Sequence, residues 1–171
     1  MMIQSKSRSG GFSMIELLVA VLVMGIGVLG ITGLQVLSLQ NNRAALLRGE
    51  AVHLAYDILD RARANSSADY GGLALEDAPP ASPNCMDQNC TPAEMAAFDQ
   101  RLWKCALGGF NDNALCDEAR DWGALPPANQ QPGLPDGDGA IAVDGDVVTV
   151  TVRWQEPNAA QLQTVSVETQ I

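Results

Sequence analysis

From Leu17 to Leu34 the chain runs for 18 residues without a charge, and Thr32 carries the only polar side chain in that stretch. As a helix it is about 27 Å long at roughly 1.5 Å per residue, just enough to cross a ~30 Å hydrocarbon core. Leu, Val, Ile and Met surround its whole circumference, and a helix apolar on all sides is buried in protein or in lipid. A chain of 171 residues has room for one ordinary domain, so lipid is the expected surrounding. A cleaved secretory signal fits less well. Its apolar region is about 7–15 residues long and ends in a small-x-small site, whereas here LQVLSLQNNRAALL follows the run.

Charge sorts along the chain in the same sense. Ten Lys and Arg stand against twenty Asp and Glu, a net charge of -10. Lys6 and Arg8 are the only charges in residues 1–11, so the remainder carries -12. A basic leader before an acidic body points to a membrane and its two sides. The acidic body repels phosphate backbones, so nucleic acid is not an expected partner.

One acid, Glu16, interrupts the apolar character at its start, and no other charge follows before Arg43. A carboxylate in a membrane helix costs up to about 2.5–3.5 kcal/mol, depending on depth, and is a candidate functional group whose partner must be named. Around it the sequence reads S-G-G-F-S-M-I-E-L-L-V-A. This motif resembles the class III leader of type IV pilins and pseudopilins. The resemblance implies cleavage by prepilin peptidase between Gly11 and Phe12, N-methylation of Phe12, and Glu16 as the fifth mature residue. The continuation GIGVLGITGLQ is similar to the minor pilins of the PilV subgroup. Gly33 stands where many major pilins carry Pro. Over residues 8–40 the resemblance is specific, and beyond them it weakens.

The physical content of the motif stands apart from the resemblance. Cleavage after Gly11 creates an ammonium at Phe12, four residues before Glu16. Among packed apolar helices an unpaired carboxylate is costly, and the ammonium of a neighbouring subunit can compensate it. Glu16 is therefore expected to set the register of subunit docking. Gly25, Gly27, Gly30 and Gly33 each lower helix propensity by about 1 kcal/mol relative to Ala, and they form no strict G-x-x-x-G dimerisation face. A softened segment and close packing against neighbours are both open readings.

Beyond Leu39 the pattern becomes amphipathic. Leu47, Ala51, Leu54, Ala55, Ile58, Leu59 and Ala62 recur at the 3.6-residue period, predicting one helix from about Met14 to about Asn65. Asn65, Ser66, Ser67 and Gly71-Gly72 should end it. His53 lies beside the stripe with no second His or ligand spacing, and reads as a boundary residue. After a Pro-rich loop (77–89), Thr91-Pro92-Ala93-Glu94 combines a capping box with Pro at the first helical position. Met95, Phe98, Leu102 and Cys105 then fall on one face, up to Gly108-Gly109. Trp103 and Trp122 read as packing residues, and residues 110–139 as mostly loop.

Cys85, Cys90, Cys105 and Cys116 are spaced C-x4-C and C-x10-C, which with one distant His does not suit zinc. An even number in an exported, loop-rich region argues for two disulfides. Of three connectivities, Cys85–Cys90 with Cys105–Cys116 closes the shortest loops and is the expectation. From Ala140 the period becomes two, and Val148, Val150, Val152 and Trp154 share one face. The Asp144-Gly145 pair signals a hairpin, and residues 162–169 a further strand, giving a three- or four-stranded antiparallel meander. Asp136, Asp138, Asp144 and Asp146 miss the EF-hand ligand pattern, so turn chemistry explains them better than calcium.

No P-loop, Rossmann glycine pattern, G-x-S-x-G or H-E-x-x-H occurs, and no enzyme or cofactor is expected. The expected fold is α+β and pilin-like: a long N-terminal helix, its first half transmembrane, packed on a small antiparallel sheet with disulfide-stapled loops. The expected organisation is a leader (1–11) that is removed, an anchor (12–39) and a periplasmic domain (40–171). The resemblance implies a minor pilin in the inner membrane, crossing it once and then passing into the filament or its tip, where it helps to initiate assembly. Its implied partners are other minor and major pilins, prepilin peptidase, the inner-membrane assembly platform and the membrane. A type II secretion pseudopilin is built from the same parts. A membrane-anchored binding module or adhesin is the rival of another class, and Glu16 argues against it.

Overall fold

The computed structural model describes residues 11, 13–130, 133–157 and 159–171. Three helices and three strands follow in the order α1 (Met14–Ala64), α2 (Pro92–Leu107), α3 (Ala114–Asp121), β1 (Asp138–Asp144), β2 (Val147–Trp154) and β3 (Gln163–Gln170). The chain divides into two units, Met1–Arg43 and Ala44–Ile171.

In the first unit the large apolar side chains from Met14 to Leu39 are all exposed. Within the described residues of this unit nothing covers them, which is the condition of a helix whose solvent is lipid. Thr32 meets that condition by donating its hydroxyl to the Val28 carbonyl at 2.9 Å, so no polar group of the run lacks a partner within the helix.

In the second unit the stripe read from the sequence is the buried face of α1: Ala51, Leu54, Ala55, Ile58, Leu59 and Ala62 are buried, with Leu47 half-buried. Ala51 and Ala55 are wholly inaccessible. Small side chains there let the helix approach the sheet and Trp103, whose Nε1 donates to the Leu54 carbonyl at 2.8 Å. Val148, Val150, Val152 and Trp154 supply the facing row of β2 to the same core.

The sheet is a three-stranded antiparallel meander, β1-β2-β3. Asp144 pairs with Val147, so Gly145-Asp146 is a two-residue hairpin loop, and Gly145 takes φ 59. That conformation is open to Gly and strained for most other residues. Outside the named strands, Leu73 adds one antiparallel bridge to Ile141 at the outer edge of β1.

Helix α2 begins as its sequence requires. The Thr91 hydroxyl accepts from the Glu94 amide, and the Glu94 carboxylate accepts from the Thr91 amide. That reciprocal bonding holds the Glu94 carboxyl below its usual range. Gly108, at φ 108, caps the other end. The expected face of Met95, Phe98, Leu102 and Cys105 is buried, Met95 only in part, and the helix buries a second face as well. Phe98, Leu102 and Cys105 join one cluster with Cys116, Ala119 and Leu125, while Ala96, Trp103 and Leu107 belong to the main core. The helix is covered on both sides. Residues 133–139 run against its C-terminal end, where Gly109 donates to the Gly137 carbonyl and Leu134 to the Leu107 carbonyl. A side chain at Gly137 would collide with the Leu107 carbonyl, so this close approach requires glycine.

Residues 110–139 are mostly loop, as expected, but they also contain one short helix, α3, that the sequence did not indicate. Its Asn113 cap accepts from the Leu115 amide at 2.9 Å, but only Cys116 and Ala119 are buried. A two-residue stripe leaves no periodic signal. Strand β1 also starts earlier than Ala140, at Asp138, which is a buried partner of a lysine and no turn residue.

Candidate functional site: the amino-terminal helix and the domain it carries

Ser13 precedes the helix, and its carbonyl accepts from the amides of Glu16 at 3.0 Å and Leu17 at 3.2 Å. Glu16 thus stands in the first turn of α1, where an acid complements the positive end of the helix. Gly11 and Glu16 are both exposed, so the carboxylate is free to take a partner. Phe12 lies outside the described residues, as do residues 1–10. α1 is the only described helix long and apolar enough to cross a membrane.

In the second unit polar groups fix the loops to α2. Lys104 is fully buried and donates to Asp138 Oδ1 at 2.6 Å and to the Ala74 carbonyl at 3.0 Å. Asp138 also accepts from the amides of Glu76 and Gly139. Burial, the largest influence on its carboxyl, opposes ionisation. The Lys104 ammonium and the two amides outweigh it and hold Asp138 below the usual carboxylate range. Arg101, 1% exposed, donates to the carbonyls of Leu115 and Ser82 and to Glu118, and lies over the Trp122 ring. The Tyr70 hydroxyl donates to Asp99 at 2.6 Å, and Asp99 accepts from Arg61. Burial, then the Asp99 carboxylate, raises the Tyr70 pKa well above its ordinary value. For Arg61 burial disfavours the charge, yet bonds to Asp99 and Asp57 carry its pKa upward.

These cations were missed in the sequence, although a signal existed. Apolar residues at Ala96, Trp103 and Leu107 and at Phe98, Leu102 and Cys105 cover two sides of α2, so Arg101 and Lys104 have nowhere to go but inward. Buried charges are satisfied in place. Chemically the network joins the loops at Ala74 and Ser82, and α3 at Leu115, to helix α2. His53 is exposed. Asp136, Asp138, Asp144 and Asp146 do not converge, and no cluster of three or more potential metal ligands occurs among the described residues.

The cysteines pair locally, Cys85 with Cys90 and Cys105 with Cys116, with Cα separations of 5.6 and 5.5 Å. The first closes the half-exposed Pro-rich loop, and the second, wholly buried, ties α3 to α2. Alkylation under denaturing, non-reducing conditions should therefore label no thiol. Mild reduction of the native protein should open Cys85–Cys90 first, since a reductant cannot reach Cys105–Cys116 without unfolding around it. Both bridges opening together, or four free thiols in the unreduced protein, would contradict this arrangement. Each bridge closes a short loop and contributes about 2–3 kcal/mol in the chain-entropy account.

The comparisons fall on the same two segments. Residues 6–32 match the prokaryotic N-terminal methylation motif, which includes Gly11, Phe12 and Glu16. Residues 33–101 match the Tt1218-like family, described as type IV pilin Tt1218. Together the two matches span residues 6–101 and support the type IV pilin family with a prepilin N-methylation motif. No curated protein and no solved structure matches the chain. Pilins are structural proteins, membrane-anchored before assembly, matured by a peptidase and joined to other pilins in a filament. The α+β architecture of long apolar helix, small antiparallel sheet and two disulfides is that of this class.

Proposed function

We propose that the chain is a minor pilin of the type IV pilus, of the PilV kind, that helps to initiate filament assembly. Prepilin peptidase removes residues 1–11 and Phe12 becomes the N-methylated terminus. Residues 12–39 anchor the chain in the inner membrane, and residues 40–171 stand in the periplasm. The inner-membrane platform then transfers the subunit into the filament or its tip, where Glu16 pairs with the ammonium of a neighbouring pilin. The observation that carries this reading is Glu16 itself: a solitary exposed acid in the first turn of α1, with no other acid before Glu50, at the fifth position after the proposed cut. A plain anchor has no use for it. The PilV assignment rests on the GIGVLGITGLQ segment and on Gly33.

Gly11→Val tests the processing step. A β-branched residue should obstruct the subsite that accepts Gly, so mass spectrometry is expected to find the leader intact. A normal mature terminus in that variant would refute the assignment. Loss of piliation in a deletion strain, with secretion intact, supports the pilus role over the secretion role; the opposite pattern reverses it.

A further inference from the structure

Strand β3 has a partner on one side only. It pairs with β2 along Gln163–Gln170, and among the described residues no backbone group bonds its other edge. The Ile171 amide donates to the Asp146 carbonyl, which fixes the phase of the ladder. In this register the amides of Gln163, Val165, Val167 and Thr169 point to β2, and those of Thr164, Ser166 and Glu168 point outward. The outward edge is uniform for eight residues. It contains no Pro, Lys or Arg, and Glu168 is its only charge, so the edge is only lightly protected against a further strand. Val165 and Val167 pack on the core yet remain half-buried, and a fourth strand would cover them.

Charge decides which strand fits. Of the Lys and Arg side chains from Ala44 onward, Arg61, Arg63, Arg101, Lys104, Arg120 and Arg153 are each ion-paired within the domain. Arg48 alone among the described residues is not. The unit therefore presents an acidic surface with nearly all its cations already engaged, and a second copy would be repelled.

We infer that β3 accepts an extended, lysine- or arginine-bearing strand of a different pilin subunit, added antiparallel or parallel at its free edge. Only the partner's class rests on the function proposed above. The Thr164, Ser166 and Glu168 amides supply the bonds, and the inner valines supply the apolar contact.

The test uses the full chain in its host, with a photo-crosslinking amino acid placed at Thr164 or at Gln170. Sheared filaments are then analysed for adducts. Ser166→Pro is the diagnostic variant, because proline is tolerated where the lost amide faces outward, so the domain should remain folded by circular dichroism. The expected result is an adduct to an extended segment of another pilin, reduced at least tenfold by Ser166→Pro. An adduct only to a second copy, an adduct that survives Ser166→Pro, or no adduct from filament-borne protein would each overturn the inference. Those outcomes leave the pilin reading intact, since the chain is still recovered in filaments; its absence from them would count against that reading instead.

Discussion

Glu16→Ala is expected to leave the chain cleaved, inserted and disulfide-bonded, yet absent from sheared filaments. The substitution removes a carboxylate that is unfavourable in lipid when alone, so membrane insertion should be unchanged or slightly improved. Glu16 is exposed and lies in the first unit, remote in sequence from the core built on Ala51 to Ala62, so the thermal stability of the domain should not move. What is lost is the partner of a neighbouring N-terminal ammonium. Breaking a buried pair typically costs about 3–5 kcal/mol, enough to weaken docking by a factor of about a hundred or more. The measurement is the recovery of the variant in the filament fraction and of piliation in a deletion strain. Full piliation with Glu16→Ala would leave the acid as an interfacial residue without a docking role.

Lys104→Met should act on the other unit, and on folding alone. The methionine keeps the apolar stem and removes the charge, leaving Asp138, 6% exposed, without its ammonium. A loss of about 3–5 kcal/mol is expected, or roughly 10–20 °C in Tm for a domain of this size. The pH dependence should also change. In the wild type the Asp138 carboxyl is held below its ordinary value, so its contribution is full above about pH 4 and is lost as the pH falls through the depressed value. In the variant only the amides of Glu76 and Gly139 and the Arg153 guanidinium still favour the carboxylate against burial, so the loss of stability on acidification should be smaller than in the wild type. Lys104→Met combined with Asp138→Asn should recover part of the loss. A variant as stable as the wild type, or with the same pH slope, would contradict the buried pair.

What the sequence disclosed was whatever repeats. The alternation in Val148, Val150, Val152 and Trp154 and the stripe from Leu47 to Ala62 each reflect one face meeting one core, so periodicity alone located them. Thr91 to Glu94 was legible because capping is local chemistry. Helix α3 was not, since it buries only Cys116 and Ala119 and its place depends on the partners it meets on α2. The same holds for Asp138, which has the composition of a turn residue and becomes a buried acceptor only because Lys104 meets it. Of the candidate functional residues, Gly11, Phe12 and Glu16 were legible because they belong to one contiguous motif, matched at residues 6–32. The free edge of β3 required the sheet order, which no local pattern contains.

The central claim is that this chain matures at Gly11 and is built into a filament. Mass spectrometry of the chain recovered from sheared filaments tests both at once. The account expects an N-terminal peptide that begins at Phe12 and carries one added methyl group. A chain found in filaments with its leader intact or cut elsewhere, or a chain correctly matured but confined to the membrane fraction, would contradict it.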